Sequence, residues 1–147
     1  MNFVHLHLAI NHSPLYATLF AFFVLLVGVI KRNRGVVTTA LVLAIVAGVC
    51  GGATFFTGDQ ASDVIGSSPP IAGVDKDLIK EHNLAADFAL ASTCIAGALA
   101  IVTLFFRRRW MEIVLLVVLA WSFSVVARTA LLGGRIHHPE VRPAVHG

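Results

Sequence analysis

Charge is what this 147-residue chain has least of: 13% of its residues are Asp, Glu, Lys or Arg, against 57% hydrophobic. That balance excludes a water-soluble domain, because a chain of this length cannot hide so much apolar surface from water. Cysteine is scarce too, with only Cys50 and Cys94. At 1.5 Å per helical residue they fall ~9 Å and ~15 Å inside the outer ends of their apolar segments. A disulfide needs Cα atoms within about 7 Å, so this difference in depth argues against a bridge, and both read as packing residues. There is no Ser/His/Asp set in a familiar order, no phosphate-binding loop and no zinc-protease motif, so the chain reads as something other than an enzyme by itself. No nucleic-acid signature, internal repeat or low-complexity tract stands out. The start, "MNFVHLHLAINHSP", lacks a basic n-region and reads as an uncleaved tail.

What the chain does have is long apolar runs. Four stand out, at 14–30, 36–56, 84–106 and 110–132. About 20 such residues cross a bilayer as a helix. None alternates polar with apolar, which sets aside an outer-membrane barrel. The formal charge of +3 belongs to membrane topology. Lys31, Arg32 and Arg34 fill one short loop, and Arg107, Arg108 and Arg109 another. Short basic loops stay in the cytoplasm. The connection from 57 to 81 carries Asp59, Asp63, Asp75, Asp77 and Glu81 against Lys76 and Lys80, so it is expected outside with both termini. The expectation is one all-α membrane domain, 1–147. It has four transmembrane helices at about 14–30, 36–56, 75–106 and 110–133, an outer loop at 57–74, and an up-down-up-down order.

Local signals refine these bounds. Ser13 is the expected N-cap of the first helix, with Pro14 in its first turn and His12 just outside. Asp75 is the expected N-cap of the third. There Leu78, Ile79, His82, Ala85, Ala86 and Ala89 make one helical stripe, which turns His82 inward. Ala44, Ala47, Gly48, Gly51, Gly52 and Ala53 give the second helix a small-residue face for close packing. Gly133 and Gly134 are an expected stop for the fourth helix. His138 precedes Pro139 and should be extended, so His137 and His138 point to opposite sides.

All seven histidines fall on the expected outer side: His5, His7, His12, His82, His137, His138 and His146. Imidazole suits haem iron, zinc and copper. His12, His82 and one of His137 or His138 come from different helix ends and form the candidate ligand set, with Asp59 or Glu140 to complete it. His5, His7 and His146, near the termini, read as interfacial residues. Asp87 and Arg128 lie deeper and at similar depth, which predicts an ion pair between the third and fourth helices. Arg128 and Arg135 are also candidates to meet an anionic group such as a haem propionate.

At "INHSPL", "TGDQASDVI", "LIKEHNLAAD" and "ARTALLGGRIHHPE" the chain resembles a family of four-helix bacterial inner-membrane proteins, close to a domain of unknown function whose members resemble predicted b-type cytochromes. The resemblance spans nearly the whole chain. It implies a multi-pass protein of the bacterial inner membrane with periplasmic termini. It carries over His12, Asp59, His82, Arg128, His138 and Glu140, and favours His138 over His137 as the inward residue. Two positions depart from the pattern: Asn83 stands where a glutamate is usual, and His137 where an arginine is.

The functional expectation is a haem b or a single transition metal ion (Zn, Cu or Fe) at the periplasmic mouth of the bundle, serving redox or electron-transfer chemistry. The alternative is a non-catalytic accessory subunit of a larger membrane complex. The lipid bilayer is the expected neighbour in either case, and other subunits or a second copy are the further candidate partners.

Overall fold

The computed structural model describes residues 3–67 and 76–137. These form five helices: α1 (Phe3–Ile10), α2 (Ser13–Lys31), α3 (Arg34–Ser67), α4 (Lys76–Phe106) and α5 (Arg109–His137). No strand occurs among the described residues. Four stretches are long and apolar enough to cross a membrane: Phe3–Lys31, which joins α1 to α2, then Arg34–Asp63, Lys76–Phe106 and Arg109–Ile136. This is the build of a multi-pass membrane protein.

The packing inverts that of a soluble bundle. The interior is rich in small residues, with Ala21, Ala40, Ala44, Ala47, Ala96 and Ala100 all buried around a few leucines such as Leu25, Leu115 and Leu119. Phe20, Phe23, Phe88, Phe105 and Trp121 point outward. An outer surface of that kind would drive aggregation in water. In lipid it costs nothing, because hydrocarbon solvates it as well as a protein core would. Helix association there depends on close approach, which small residues permit. Gly48 shows the need: a Cβ at that position would lie 3.2 Å from the Thr93 carbonyl oxygen of α4.

Several helix ends differ from the sequence expectation. Residues 3–10 are helical rather than a tail. Ser13 does not cap α2; His12 holds the N-cap position with helical dihedrals and no capping bond. The Ser13 hydroxyl instead donates back to the Ile10 carbonyl, 2.7 Å away, and closes the turn between α1 and α2. α3 does not end near Phe56 but continues to Ser67, so most of the expected outer loop is helix. Leaving an apolar stretch does not end a helix whose side chains still find partners. Past that point Ser62 donates to Asn83 of α4 at 3.3 Å, and α1 packs along α3. α5 runs through Gly133 and Gly134 to His137. Gly133 meets the His82 ring, so this glycine serves packing rather than termination. The expected cap Asp75 lies outside the described residues.

The structure also reveals a repeat that the sequence conceals. A shift of 75 residues (7 to 82, 54 to 129) carries one half of the chain onto the other. His7 Nδ1 bonds the Thr54 carbonyl at 3.1 Å, and His82 Nδ1 bonds the Thr129 carbonyl at 3.1 Å, each across 47 residues of chain. The Thr54 hydroxyl donates to the Ile10 carbonyl and the Thr129 hydroxyl to the Ala85 carbonyl, each across 44 residues. Thr18 and Thr93 each donate to the carbonyl four residues back. Arg32 and Arg107, the two non-glycine residues with positive φ among the described residues, correspond, and so do Arg34 and Arg109, where α3 and α5 begin. The protein is thus two copies of one helical hairpin. The first consists of α1, α2 and α3, and the second of α4 and α5.

The two hairpin turns meet at one end. Arg34 Nη1 lies 3.1 Å from Glu112 Oε1, and the Glu112 side chain is only 6% exposed. Asn33 caps α3 by accepting from the backbone N–H groups of Gly35 and Val36. The four basic residues Lys31, Arg32, Arg107 and Arg108 flank the same turns and are exposed.

Candidate histidine-lined cavity

At the opposite end the helices enclose a cavity of about 310 Å³. That is the lower end of the ~300–1,000 Å³ usual for small-molecule sites. Its wall combines α1, α3, α4 and α5. His7 and His82 line it, together with Asn11, His12, Asp59, Asn83 and Asp87. Thr93 and Gly51 lie toward the bundle centre.

The two imidazoles sit in matched seats. His82 rises from the inward stripe of α4 and crosses to α5. His7 rises from α1 and crosses to α3. Each is half-buried. Each meets a helical carbonyl whose own i+4 residue is glycine: Gly58 follows Thr54, and Gly133 follows Thr129. A Cβ at Gly58 would lie 2.9 Å from His7 Cε1, and one at Gly133 would lie 3.2 Å from His82 Cε1. The missing side chain is therefore what admits the ring. A carbonyl oxygen only accepts, so Nδ1 must carry the hydrogen in both rings. In the neutral tautomer the lone pair is then on Nε2. The Thr57 hydroxyl, 3.4 Å away, also faces His7 Nδ1. Its own hydrogen goes to the Ala53 and Thr54 carbonyls, so toward the histidine it accepts. An Nδ1–H held by a carbonyl is the usual support of a metal-ligating histidine; it fixes the ring and raises the basicity of Nε2.

The other sequence candidates scatter. His12 lines the cavity rim but is exposed, hydrogen-bonded through Nδ1 to its neighbour Asn11 and stacked on Tyr16. Asp59 and Asp87 line the cavity on its α3 and α4 walls and are exposed. The expected Asp87–Arg128 pair does not form. Arg128 Nη2 instead lies 3.5 Å from Glu81 Oε1. The reason is helical phase. Glu81 and Ala85 are one turn apart on the α4 face that meets α5, whereas Asp87 is two residues past Ala85 and about 200° round the helix. Neither Arg128 nor Arg135 lines the cavity; Arg135 lies on a separate groove between α2 and α5. His138 and Glu140 lie outside the described residues, and the side chain of His137 is likewise not described. Among the described residues no three His, Cys, Asp or Glu side chains form a metal-binding group. Both cysteines are free.

His7 is the residue that sequence reasoning set aside. Its signal was present but unobtrusive: a histidine 47 residues ahead of a Thr-x-x-x-Gly, occurring twice.

No protein-family model matches the chain, and neither a curated protein nor a solved structure is significantly similar to it.

Proposed function

We propose that this protein is a multi-pass component of the bacterial inner membrane that holds a haem b or a transition metal ion at the periplasmic end of its bundle. His7 and His82 are the paired imidazole ligands. The observation that carries this reading is the matched pair of Nδ1-anchored rings on one cavity. Two imidazoles suit haem iron or a borderline-soft ion such as Zn or Cu. The modest cavity volume favours the single ion over a porphyrin. Bound there, such a group would supply redox or Lewis-acid chemistry. The chain's own part is to orient the two Nε2 lone pairs, with Asp59 and Asp87 placing carboxylates on the same cavity wall.

The orientation follows from charge. The basic turns beside the Arg34–Glu112 pair belong in the cytoplasm. The helices then run up-down-up-down, and both termini and the cavity face the periplasm. The motif resemblance to predicted b-type cytochromes points the same way.

An absorbance spectrum and elemental analysis of purified wild type, His7→Ala and His82→Ala test the reading. The expected result is a bound metal or a Soret band in the wild type, reduced in each variant. Wild-type protein purified from metal- and haem-replete cells with neither would overturn it. A second reading, an accessory subunit of a larger complex, is favoured by how little of the described chain lies beyond the four spans. It gains if stoichiometric partners co-purify and their activity ignores His82→Ala.

A further inference from the structure

We propose that the groove between α2 and α5 is a binding site for an anionic phospholipid of the surrounding bilayer. The groove encloses about 630 Å³ on the outside of the bundle. Leu15, Phe123 and Leu131 give it an apolar floor suited to an acyl chain. His12 and Arg135 stand at its rim, with Gly134 between the floor and the arginine. A guanidinium meets a phosphate with two parallel charge-assisted hydrogen bonds and keeps further donors for other contacts.

The internal repeat makes this more than an arginine at a helix end. Shifted by 75 residues, the α2/α5 groove falls on the α4/α3 flank. Asp87 there occupies the position of His12, Asp59 that of Gly134, and Gln60 that of Arg135. Both carboxylates are exposed. Two equivalent backbone seats at the same end of the bundle therefore carry opposite charge. A general demand of the membrane surface would have treated them alike. The cationic rim over an apolar floor selects a ligand with an anionic head and a hydrocarbon tail. The acidic seat repels the same ligand.

Full-length protein is reconstituted in phosphatidylcholine vesicles containing trace spin-labelled phosphatidylglycerol or spin-labelled phosphatidylcholine. The motionally restricted fraction of each probe is then measured. Arg135 should add about fivefold to the wild type's retention of the phosphatidylglycerol probe over what the basic turns contribute, the factor equivalent to the ~1 kcal/mol that one arginine contributes near an anionic lipid. Arg135→Gln should remove that fivefold increment. Lys31→Gln removes the same charge at the other end of the bundle and should leave it intact. Gly134→Leu should release the probe by filling the groove; no atom lies within 4 Å of the new Cβ, so the side chain starts into open space. Equal retention of both probes by the wild type would overturn the proposal, as would an equal loss in Lys31→Gln. So would a defined oligomer that Arg135→Gln dissociates, because the basic groove would then be seating the acidic flank of a second copy.

Discussion

Gly133→Ala gives the sharpest test of the imidazole seat, because Gly134 beside it supplies the control. Both glycines lie within α5. Alanine in a helix is favoured over glycine by about 1 kcal/mol. At Gly134 nothing lies within 4 Å of the new Cβ, so the full gain should appear. At Gly133 the Cβ arrives 3.2 Å from His82 Cε1 and 3.6 Å from Nδ1. The ring must retreat by a few tenths of an ångström, which stretches the 3.1 Å bond to the Thr129 carbonyl. A hydrogen bond of this kind contributes roughly 1 kcal/mol. Gain and loss cancel, so Gly133→Ala should be near neutral while Gly134→Ala stabilises. The gap of about 1 kcal/mol corresponds to a Tm difference of roughly 3 °C. Thermal unfolding in detergent micelles measures it, and the ¹⁵N shift of His82 Nδ1 reports the ring directly. Repeating Gly133→Ala in a His82→Ala background should restore the missing stabilisation, since the obstructing ring is gone. Equal shifts for the two glycine variants, or a gap that survives without His82, would refute the argument. Gly58→Ala, whose Cβ would lie only 2.9 Å from His7 Cε1, should be net destabilising by the same logic.

At the other end, the Arg34–Glu112 pair is asymmetric in burial, with the arginine side chain 63% exposed and the glutamate 6%. Arg34→Met strands a buried carboxylate and should cost about 2–3 kcal/mol, less than a fully buried pair because the arginine is itself solvated. Glu112→Gln leaves a hydrated guanidinium and should cost about 1 kcal/mol. Denaturant unfolding that finds the two equal would contradict the assigned burial. For orientation, a reporter active only in the periplasm should be silent when fused after Asn33 or Arg108 and active when fused within 68–75. The reverse pattern would invert the bundle in the membrane.

The presence of four apolar spans was legible because hydropathy is a local, additive property that needs no partner. The inward turn of His82 was legible for a similar reason: it sits on one stripe of a single helix, and 3.6 residues per turn sets the face. The repeat was not. Lipid accepts any apolar side chain, so the outward faces of the two hairpins share little sequence. Contact positions such as Thr18 and Thr93, Thr54 and Thr129, or Gly58 and Gly133 keep their identity, but they are too few and too scattered to stand out in the sequence. His7 was missed because "FVHLHLAI" is too short to announce a helix by itself. It becomes one in continuation of α2 and against α3.

The amino-acid sequence by itself determined the class of protein, the number of spans and which residues are chemically able to bind a metal or an anion. Those are properties of one segment at a time. The tertiary structure decided that Arg128 meets Glu81 rather than Asp87, that Gly133 admits a ring instead of ending a helix, and that His7 and His82 share a cavity. Each depends on the rotation and register of one helix against another. A few ångströms or tens of degrees change the partner, and no single segment encodes them.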